Sequence, residues 1–508
     1  MTPQPQISMT IEDQSTGNVV AIVGGRGAKE ANRTLNRATS TTRQPGSTFK
    51  IVSTYAPALD SAGLTLADVF VDAPFNYANG RPVSNWYSSG YRGICSLRDG
   101  IRDSLNIIAV KTLTTITPDK GFDYLENFGF TTLVRSEEKN GQIFSDITQS
   151  LALGGITYGV TNMELNASYA TIANGGTYIK PKLYTKIVDH DGNVVIDNTV
   201  GETRQVIKES TAFLLTDAMV DVVTSGTGTS VNFGGMSIAG KTGTTSDYND
   251  VWFAGYTPYY TCTTWTGYDN NAKLSGKTGE RNLAKTLWKA AMSKIHENLE
   301  NKAFNVPADI VTATVCSQSG KLPIAGMCDE TLKTEYFAKG TVPTETCDVH
   351  YQGSVCEYSG LPATELCPFQ VPGTVTMTPA LDAALSGNAT PAEGSSTQCP
   401  HDAAFMADPN AAAVIAQQRL ELDARNMLAN YDIQMANLQA ALQNAQTVLA
   451  SAQQQFAAAA DPESQAAAQN SVNQAQQEID SLNAQIAALQ NAYALQQQQA
   501  AEQGGAAQ

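Results

Sequence analysis

Apolar and polar positions alternate in two early segments. SMTIED and NVVAIV, within residues 8–23, read as a β-hairpin, with turn chemistry from Gln14 to Asn18 and Gly17 at the bend. Gly24, Gly25 and Gly27 follow as a loop, too irregular for a nucleotide fingerprint. The pattern then becomes helical. A helix beginning at or just before Ser47 is expected to run to about Leu59, with a kink at Pro57. Residues 72–94, rich in Gly, Asn, Ser and aromatics, predict a long loop of the kind that often carries function. Leu97, Ile101, Leu105, Ile108 and the Val110–Leu113 region predict a buried helical surface. Residues 122–188 read as mostly helical, with one helix from Asn162 to Ala173 that stops at Asn174-Gly175. Two strands joined at Asp191-Gly192 follow, then a helix from about Ser210 to Val223. Successive antiparallel strands are expected between Met236 and Asp269, where β-branched and aromatic residues lie between turns.

The last third changes character. Residues 370–408 are rich in Pro, Gly, Ser, Thr and Ala, the composition of a linker. Beyond them the chain is Ala- and Gln-rich. Val472, Ala475, Ile479, Leu482, Ile486, Leu489 and Tyr493 step by three and four, a heptad seam. Leu420, Ala424, Met427, Tyr431, Met435, Leu438 and Leu442 form a similar seam with a stutter between Tyr431 and Met435. Asp461-Pro462 supplies a cap and first-turn proline for a second helix, so an antiparallel helical hairpin is expected. Its alanine-rich seam buries little area, which makes it the least stable unit. The expected division is a first domain over 1–305, a Cys-rich extension over 306–370, a linker over 371–408 and a helical hairpin or coiled coil over 409–500.

Composition narrows the function. A chain of 508 residues is too long for one core. The net charge of −16, without a basic cluster, argues against nucleic-acid binding. There is no signal peptide and no apolar run long enough to span a membrane, so the chain as given is expected to be soluble. It starts almost directly in a strand, which suggests a fragment of a longer protein. Cys95 and Cys262 stand apart, while six cysteines crowd between Cys316 and Cys399, a density that suggests a disulfide-permissive compartment. CSQSGKLPIAGMC and CEYSGLPATELC form a repeated hairpin. Disulfides Cys316–Cys328 and Cys356–Cys367 are the preferred reading, with Cys347 and Cys399 free to pair. Zinc is the lesser alternative, because no C-x-x-C spacing occurs. His190, His296, His350 and His401 are scattered and expected at the surface, which disfavours a histidine-based metal site.

The candidate chemistry starts at RQPGSTFK. Ser47 and Lys50 are three apart, so a helix puts them on one face. A serine hydroxyl needs a base, and a lysine serves when desolvation or a second cation lowers its pKa. Ser104 and Asn106 stand two apart in RDSLNIIAVKTL. Lys241, Thr242, Gly243 and Thr244 open a strand, where a cation, two hydroxyls and a glycine suit an extended ligand ending in a carboxylate. The same Lys-Thr-Gly recurs at Lys277 to Gly279 in a loop-like context and reads as a decoy.

These three elements in order are the type of set found in penicillin-binding proteins and class A β-lactamases. With the flanks NRAT, SLALGGITYGVT, YATIANGGTY and AGKTGTTSDYNDVWFAGYTP, the chain resembles the transpeptidase domain of bifunctional (class A) penicillin-binding proteins over roughly residues 6 to 330. The resemblance implies an α+β fold, an antiparallel five-stranded sheet flanked by helices. It implies that Ser47 is the nucleophile toward a D-Ala–D-Ala stem peptide and that Lys50 is the acylation base. Ser104 is the proton relay, and Asn106 holds the substrate amide or Lys50. Lys241 keeps the site electropositive and lowers the pKa of Lys50. Thr242 and Thr244 bind the terminal carboxylate, with Gly243 between them, and backbone N–H groups of Ser47 and Thr244 form the oxyanion hole. A stem-peptide amine is the acceptor, β-lactams acylate Ser47, and no metal or organic cofactor is needed. The implied location is the extracytoplasmic face of the bacterial membrane. The family's membrane anchor and glycosyltransferase domain would lie in a preceding part, absent here. Three alternatives stand beside this: a D-Ala-D-Ala carboxypeptidase, a non-catalytic penicillin-binding sensor, and a β-lactamase. The last is disfavoured because Asn162 of NMELN stands where a deacylating glutamate would be.

Overall fold

The structure is a computed structural model that describes residues 4–29, 31–88, 90–376 and 399–505. Two compact units emerge from their contacts: one runs to Gln352, and the other holds Gly353–Gly373 and the chain from Cys399 onward. In the first unit, five strands make one antiparallel sheet. Their order is Ala239–Thr244, Asp250–Tyr256, Thr261–Gly267, Gln6–Asp13 and Asn18–Val23. The fold class implied by the resemblance is thus the one observed. The N-terminal hairpin bends at Gly17 (φ +71°) and carries a bulge between Ile11 and Glu12.

The two middle strands, Asp250–Tyr256 and Thr261–Gly267, are buried along their whole length, so both faces of the sheet are covered. Strand alternation sorts their side chains. Trp252, Ala254, Tyr256 and Trp265 join a large core with Phe49, Leu165 and Tyr169. Phe253 and Cys262 join Met9, Ile11, Trp288 and Met292 on the other face. The first strand also presents Ser8, Thr10 and Glu12, polar residues that are nevertheless buried. Helix Asn162–Ala173 answers them. Thr10 Oγ1 donates to Asn162 Oδ1 at 2.6 Å, and Asn166 Nδ2 donates to Glu12 at 2.9 Å.

Burial pushes the Glu12 carboxyl up to about 8, against a lowering by its hydrogen bond from Asn166. Its folded pKa lies above its unfolded one, so the native state holds the extra proton. Stability is fully present below the unfolded value, near 4.5, and is lost as pH rises through the folded value, near 8. Chemical denaturation from pH 5 to pH 8.5 is expected to show this loss, on the order of a few kcal/mol. Glu12→Gln flattens the curve across that window. A wild-type stability that rises with pH there would show that Glu12 is ionised in the folded state.

The helical expectations hold with two corrections. Residues 97–113 do not form one helical surface. Helix Leu97–Arg102 ends, Ser104 adopts φ +57°, and a new helix runs from Asn106 to Ile116. A serine in the left-handed region cannot continue a right-handed helix, and holding it there costs on the order of 1–3 kcal/mol. Residues 122–188 are also less helical than expected. Helices Pro118–Asn127 and Asn162–Ala173 and the 3₁₀ turn Gln149–Leu153 are interrupted by a hairpin, Glu137–Lys139 with Gln142–Phe144. Its turn is Asn140-Gly141, both at positive φ, a hairpin signal that helical periodicity obscured.

The extension adds a ribbon, Ile310–Cys316 with Leu332–Ala338. It is tied to the sheet domain by ions. Arg98 Nε and Nη2 donate to buried Glu335 at 2.8 and 2.5 Å, and the same guanidinium reaches Asp217 and Asp221 at 2.6 and 2.7 Å. The expected disulfides do not form: all eight cysteines are free. Cys347 lies with Cys316 and Cys328, Cys399 lies with Cys356 and Cys367, and each trio gathers around one histidine. Each hairpin turn brings its first two thiols together, but the third arrives on a returning chain, which local spacing does not reveal. The histidines were misread for the same reason. His190 is exposed, whereas His296, His350 and His401 are 6%, 5% and 0% exposed.

In the second unit, helices Ala411–Ala458 and Pro462–Gly505 pack antiparallel. Asp461 caps the second through the N–H groups of Glu463 and Ser464. Ala445, Ile479 and Leu482 are buried along the seam, and Tyr431 stacks on Tyr493 with centroids 4.1 Å apart. Leu420 leaves the seam and is 46% exposed, while Leu422 is buried instead. The expected linker over 371–408 is trimmed at both ends. Residues 371–376 belong to the strand Gln370–Thr376, Cys399 and His401 are buried, and 377–398 lie outside the described residues.

Candidate active site

Ser47 sits in a single 3₁₀ turn, Gly46–Thr48, closed by Thr48 Oγ1 donating to the Pro45 carbonyl at 2.8 Å. The helix continues through a π-helical stretch, Lys50–Tyr55, and finishes as Ala56–Asp60. Pro57 offers no N–H to the carbonyl four residues back, and the turns before it run wide, so the expected kink appears as a local change of helix type. Lys50 is fully buried, whereas Ser47 is half-buried and lines a cleft of about 860 Å³.

Polar groups converge behind Ser47. Lys50 Nζ donates to Asn106 Oδ1 at 2.6 Å, to the Ser104 carbonyl at 2.7 Å and to Ser104 Oγ at 3.2 Å. Lys241 Nζ donates to the same Ser104 Oγ at 2.8 Å. The left-handed conformation of Ser104 lets its carbonyl and hydroxyl both meet Lys50. Burial is the larger cause holding Lys50 well below the usual lysine range, and the Lys241 charge adds to it. Lys241 thus lowers the Lys50 pKa as expected, but as the smaller of the two causes rather than the deciding one. Lys241 is itself brought down to about 7 by burial, against the opposing pull of Asp103.

Ser47, Ser104, Asn106, Thr242, Gly243 and Thr244 all line the cleft, and Lys50 and Lys241 lie buried behind them. Gly243 also has a task within the protein itself. A Cβ there would lie 2.6 Å from the Pro45 carbonyl and 2.8 Å from Thr48 Cγ2. The glycine therefore admits the protein's own Ser47 turn against the Lys241 strand. Gly46, at φ +55°, meets the Thr244 backbone in the same way. The 72–94 loop contributes as its length suggested. Asn85 Oδ1 accepts the Asn106 N–H at 2.8 Å, and Asn106 Nδ2 donates to the Ser84 carbonyl at 2.7 Å. Tyr77 and Trp86 line the cleft from that loop.

Sequence reasoning missed several lining residues. Thr227 shares a hydrogen bond with Thr242 at 2.9 Å, and Arg281 and Lys285 supply cations. None belongs to a short motif. The decoy Lys277-Thr278-Gly279 is a turn, as expected. Asn162 is not among the cleft's lining residues. It is locked against the sheet by Thr10 and by the Thr263 carbonyl at 3.0 Å, so its identity says nothing about deacylation.

Comparison with known proteins identifies the family. Residues 7–293 match the family model for the penicillin-binding protein transpeptidase domain, and residues 306–352 match that for the penicillin-binding protein 1A C-terminal domain. A relative named penicillin-binding protein 1A from Clostridium botulinum is 35% identical over 72% of this chain and 44% of its own. The chain thus spans less than half the length of that relative. The crystal structure of penicillin-binding protein 1A from Haemophilus influenzae superposes with a TM-score of 0.57 at 27% identity, covering 68% of this chain and 55% of that one. The PonA1 protein from Mycobacterium tuberculosis, in complex with penicillin V, superposes with a TM-score of 0.52 at 26% identity, covering 60% and 82%. With the Ser47, Ser104 and Lys241 elements gathered around one cleft on this sheet, the chain belongs to the penicillin-binding protein transpeptidase family.

Proposed function

We propose that the chain is a serine D,D-transpeptidase that crosslinks peptidoglycan stem peptides. One observation carries this reading: a single hydroxyl, Ser104 Oγ, sits between two buried lysines, 3.2 Å from Lys50 and 2.8 Å from Lys241. That arrangement suits proton traffic at a half-buried serine. Ser47 Oγ attacks the carbonyl between the two D-alanines, and its proton passes to Lys50, which desolvation keeps ready to accept it. Backbone N–H groups of Ser47 and Thr244 receive the developing oxyanion. The C–N bond breaks, the leaving amine takes a proton relayed by Ser104, and D-Ala departs. A stem-peptide amine then attacks the acyl-enzyme and restores Ser47.

The Lys241 strand is an edge of the sheet, so an extended peptide can add beside it, with Thr242, Thr244 and the nearby cations for its carboxylate. β-Lactams are the expected covalent inhibitors, by analogy with the penicillin V complex of PonA1. The substrate places the reaction on the extracytoplasmic face of the bacterial membrane.

The test supplies preformed, uncrosslinked glycan strands bearing pentapeptide stems. D-Ala release with crosslinked muropeptides is expected. Release without any dimer, even with amine acceptor in excess, would make the chain a carboxypeptidase. A penicillin adduct that turns over within seconds would make it a β-lactamase, and a lasting adduct without any D-Ala release would make it a sensor.

A further inference from the structure

Two buried clusters lie outside the transpeptidase site and share one plan. In the first, Cys316 ends a strand, a Ser-Gly turn leads to Cys328, and Cys347 and His350 arrive three residues apart. In the second, Cys356 ends a strand, a Ser-Gly turn leads to Cys367, and Cys399 and His401 arrive two residues apart. In each, the three sulfurs and one histidine nitrogen lie within 4.8 Å of one another. His350 Nδ1 is 3.5, 3.3 and 3.4 Å from the sulfurs of Cys316, Cys328 and Cys347. His401 Nδ1 is 3.5 Å from both Cys356 and Cys367.

We propose that each cluster binds one zinc ion, so that the chain carries two Cys₃His structural zinc sites. A tetrahedral ion with bonds of about 2.3 Å to sulfur and about 2.05 Å to nitrogen sets sulfur and nitrogen about 3.5 Å apart. The observed separations match. A disulfide reading fits worse. Each cluster holds three thiols, so pairing two strands the third, and no pair is bonded.

The surroundings favour thiolate ligands. The Ile324 N–H points to Cys328 Sγ at 3.3 Å and the Thr364 N–H to Cys399 Sγ at 3.4 Å. His401 Nε2 pairs with Gln418 Oε1 at 2.9 Å, which holds the proton on Nε2 and leaves Nδ1 for the metal. All eight ligands are at most 6% exposed, so no position stays open for water or substrate and the sites are structural. Each ion displaces three thiol protons and leaves a local charge of −1.

The sites staple different things. The first holds the loop whose Gly320 fits beneath the Ala67 carbonyl, where a Cβ would come within 2.5 Å. The second gathers Cys356, Cys367 and Cys399 with Phe369, Leu422 and Ile415, and so anchors the start of helix Ala411–Ala458. Bound metal would also shield six thiols from oxidation.

The experiment uses the full chain, purified without chelator. Elemental analysis is expected to give two zinc ions per chain, with His350→Ala and His401→Ala each losing one. X-ray absorption at the zinc edge of the unmutated chain should fit three sulfurs and one nitrogen, which keeps the test independent of how the variants fold. Chain stripped of metal and reduced should recover protection of six cysteines from alkylation on addition of two equivalents of zinc chloride. The His401→Ala variant should still be acylated by penicillin at Ser47. Chain without metal whose non-reducing peptide map shows these cysteines in disulfides would overturn the proposal. So would six thiols that stay alkylatable with zinc in excess.

Discussion

Replacing Ser47 with alanine is expected to abolish covalent capture of penicillin. In the unaltered chain, a labelled penicillin adds one penicilloyl mass to the peptide holding Ser47. In Ser47→Ala the same peptide stays unmodified, and the acylation rate falls by on the order of 10⁶, the scale of losing a hydrolase nucleophile. The substitution removes one oxygen from a half-buried residue of the first helical turn. Stability is therefore expected to change by only about 0.5 kcal/mol, and a melting curve separates loss of chemistry from loss of fold. A stable adduct in the variant would assign the nucleophile to another residue.

The second large effect concerns the lysine pair. Lys50→Met is expected to slow acylation by about 10²–10⁴, the contribution of a general base. Lys241→Met is expected to slow it by about 10²–10³ and also to move its pH profile. Lys50 must be neutral to accept the Ser47 proton, so acylation rises with pH through the Lys50 titration. Removing the Lys241 charge makes the Lys50 ammonium easier to hold, so the acid limb moves to higher pH. It moves only part of the way toward the ~10.4 of an exposed lysine, because burial, the larger cause, persists when methionine fills the space. Stopped-flow acylation from pH 5 to 10 reads both quantities. An unmoved limb in Lys241→Met would mean that Lys241 has no part in setting Lys50.

The site was legible to different depths. Ser47 with Lys50, Ser104 with Asn106, and Lys241 to Thr244 stand at short fixed spacings, so their identity could be found along the chain. What each does to its neighbours could not. Ser104 looked helical because Leu97, Ile101, Leu105 and Ile108 keep a helical step, yet its left-handed backbone breaks the helix there. Backbone bonds that cap the helix, Ser104 N–H to the Ile101 carbonyl and Leu105 N–H to the Gly100 carbonyl, hold that conformation, and Lys50 and Lys241 meet Ser104 there. Gly243 reads in the sequence as room for a ligand, and the fold adds a second need for it, room for Pro45 and Thr48. Asn162 looked like a substituted catalytic position and is a buried partner for a polar strand.

By itself the sequence determined what depends on neighbours a few residues apart. The N-terminal hairpin follows from two-residue alternation, the strands after Met236 from β-branched and aromatic runs between turns, and the long C-terminal helices from a heptad step. Tertiary structure alone decided what depends on groups far apart in the chain meeting in a water-poor interior. Burial, more than the neighbouring charge, lowers the Lys50 pKa. Burial raises the Glu12 pKa. The return of Cys347 with His350, and of Cys399 with His401, turned two expected disulfide hairpins into two four-ligand clusters. Desolvation and convergence are properties of the packed interior, and no local spacing carries them.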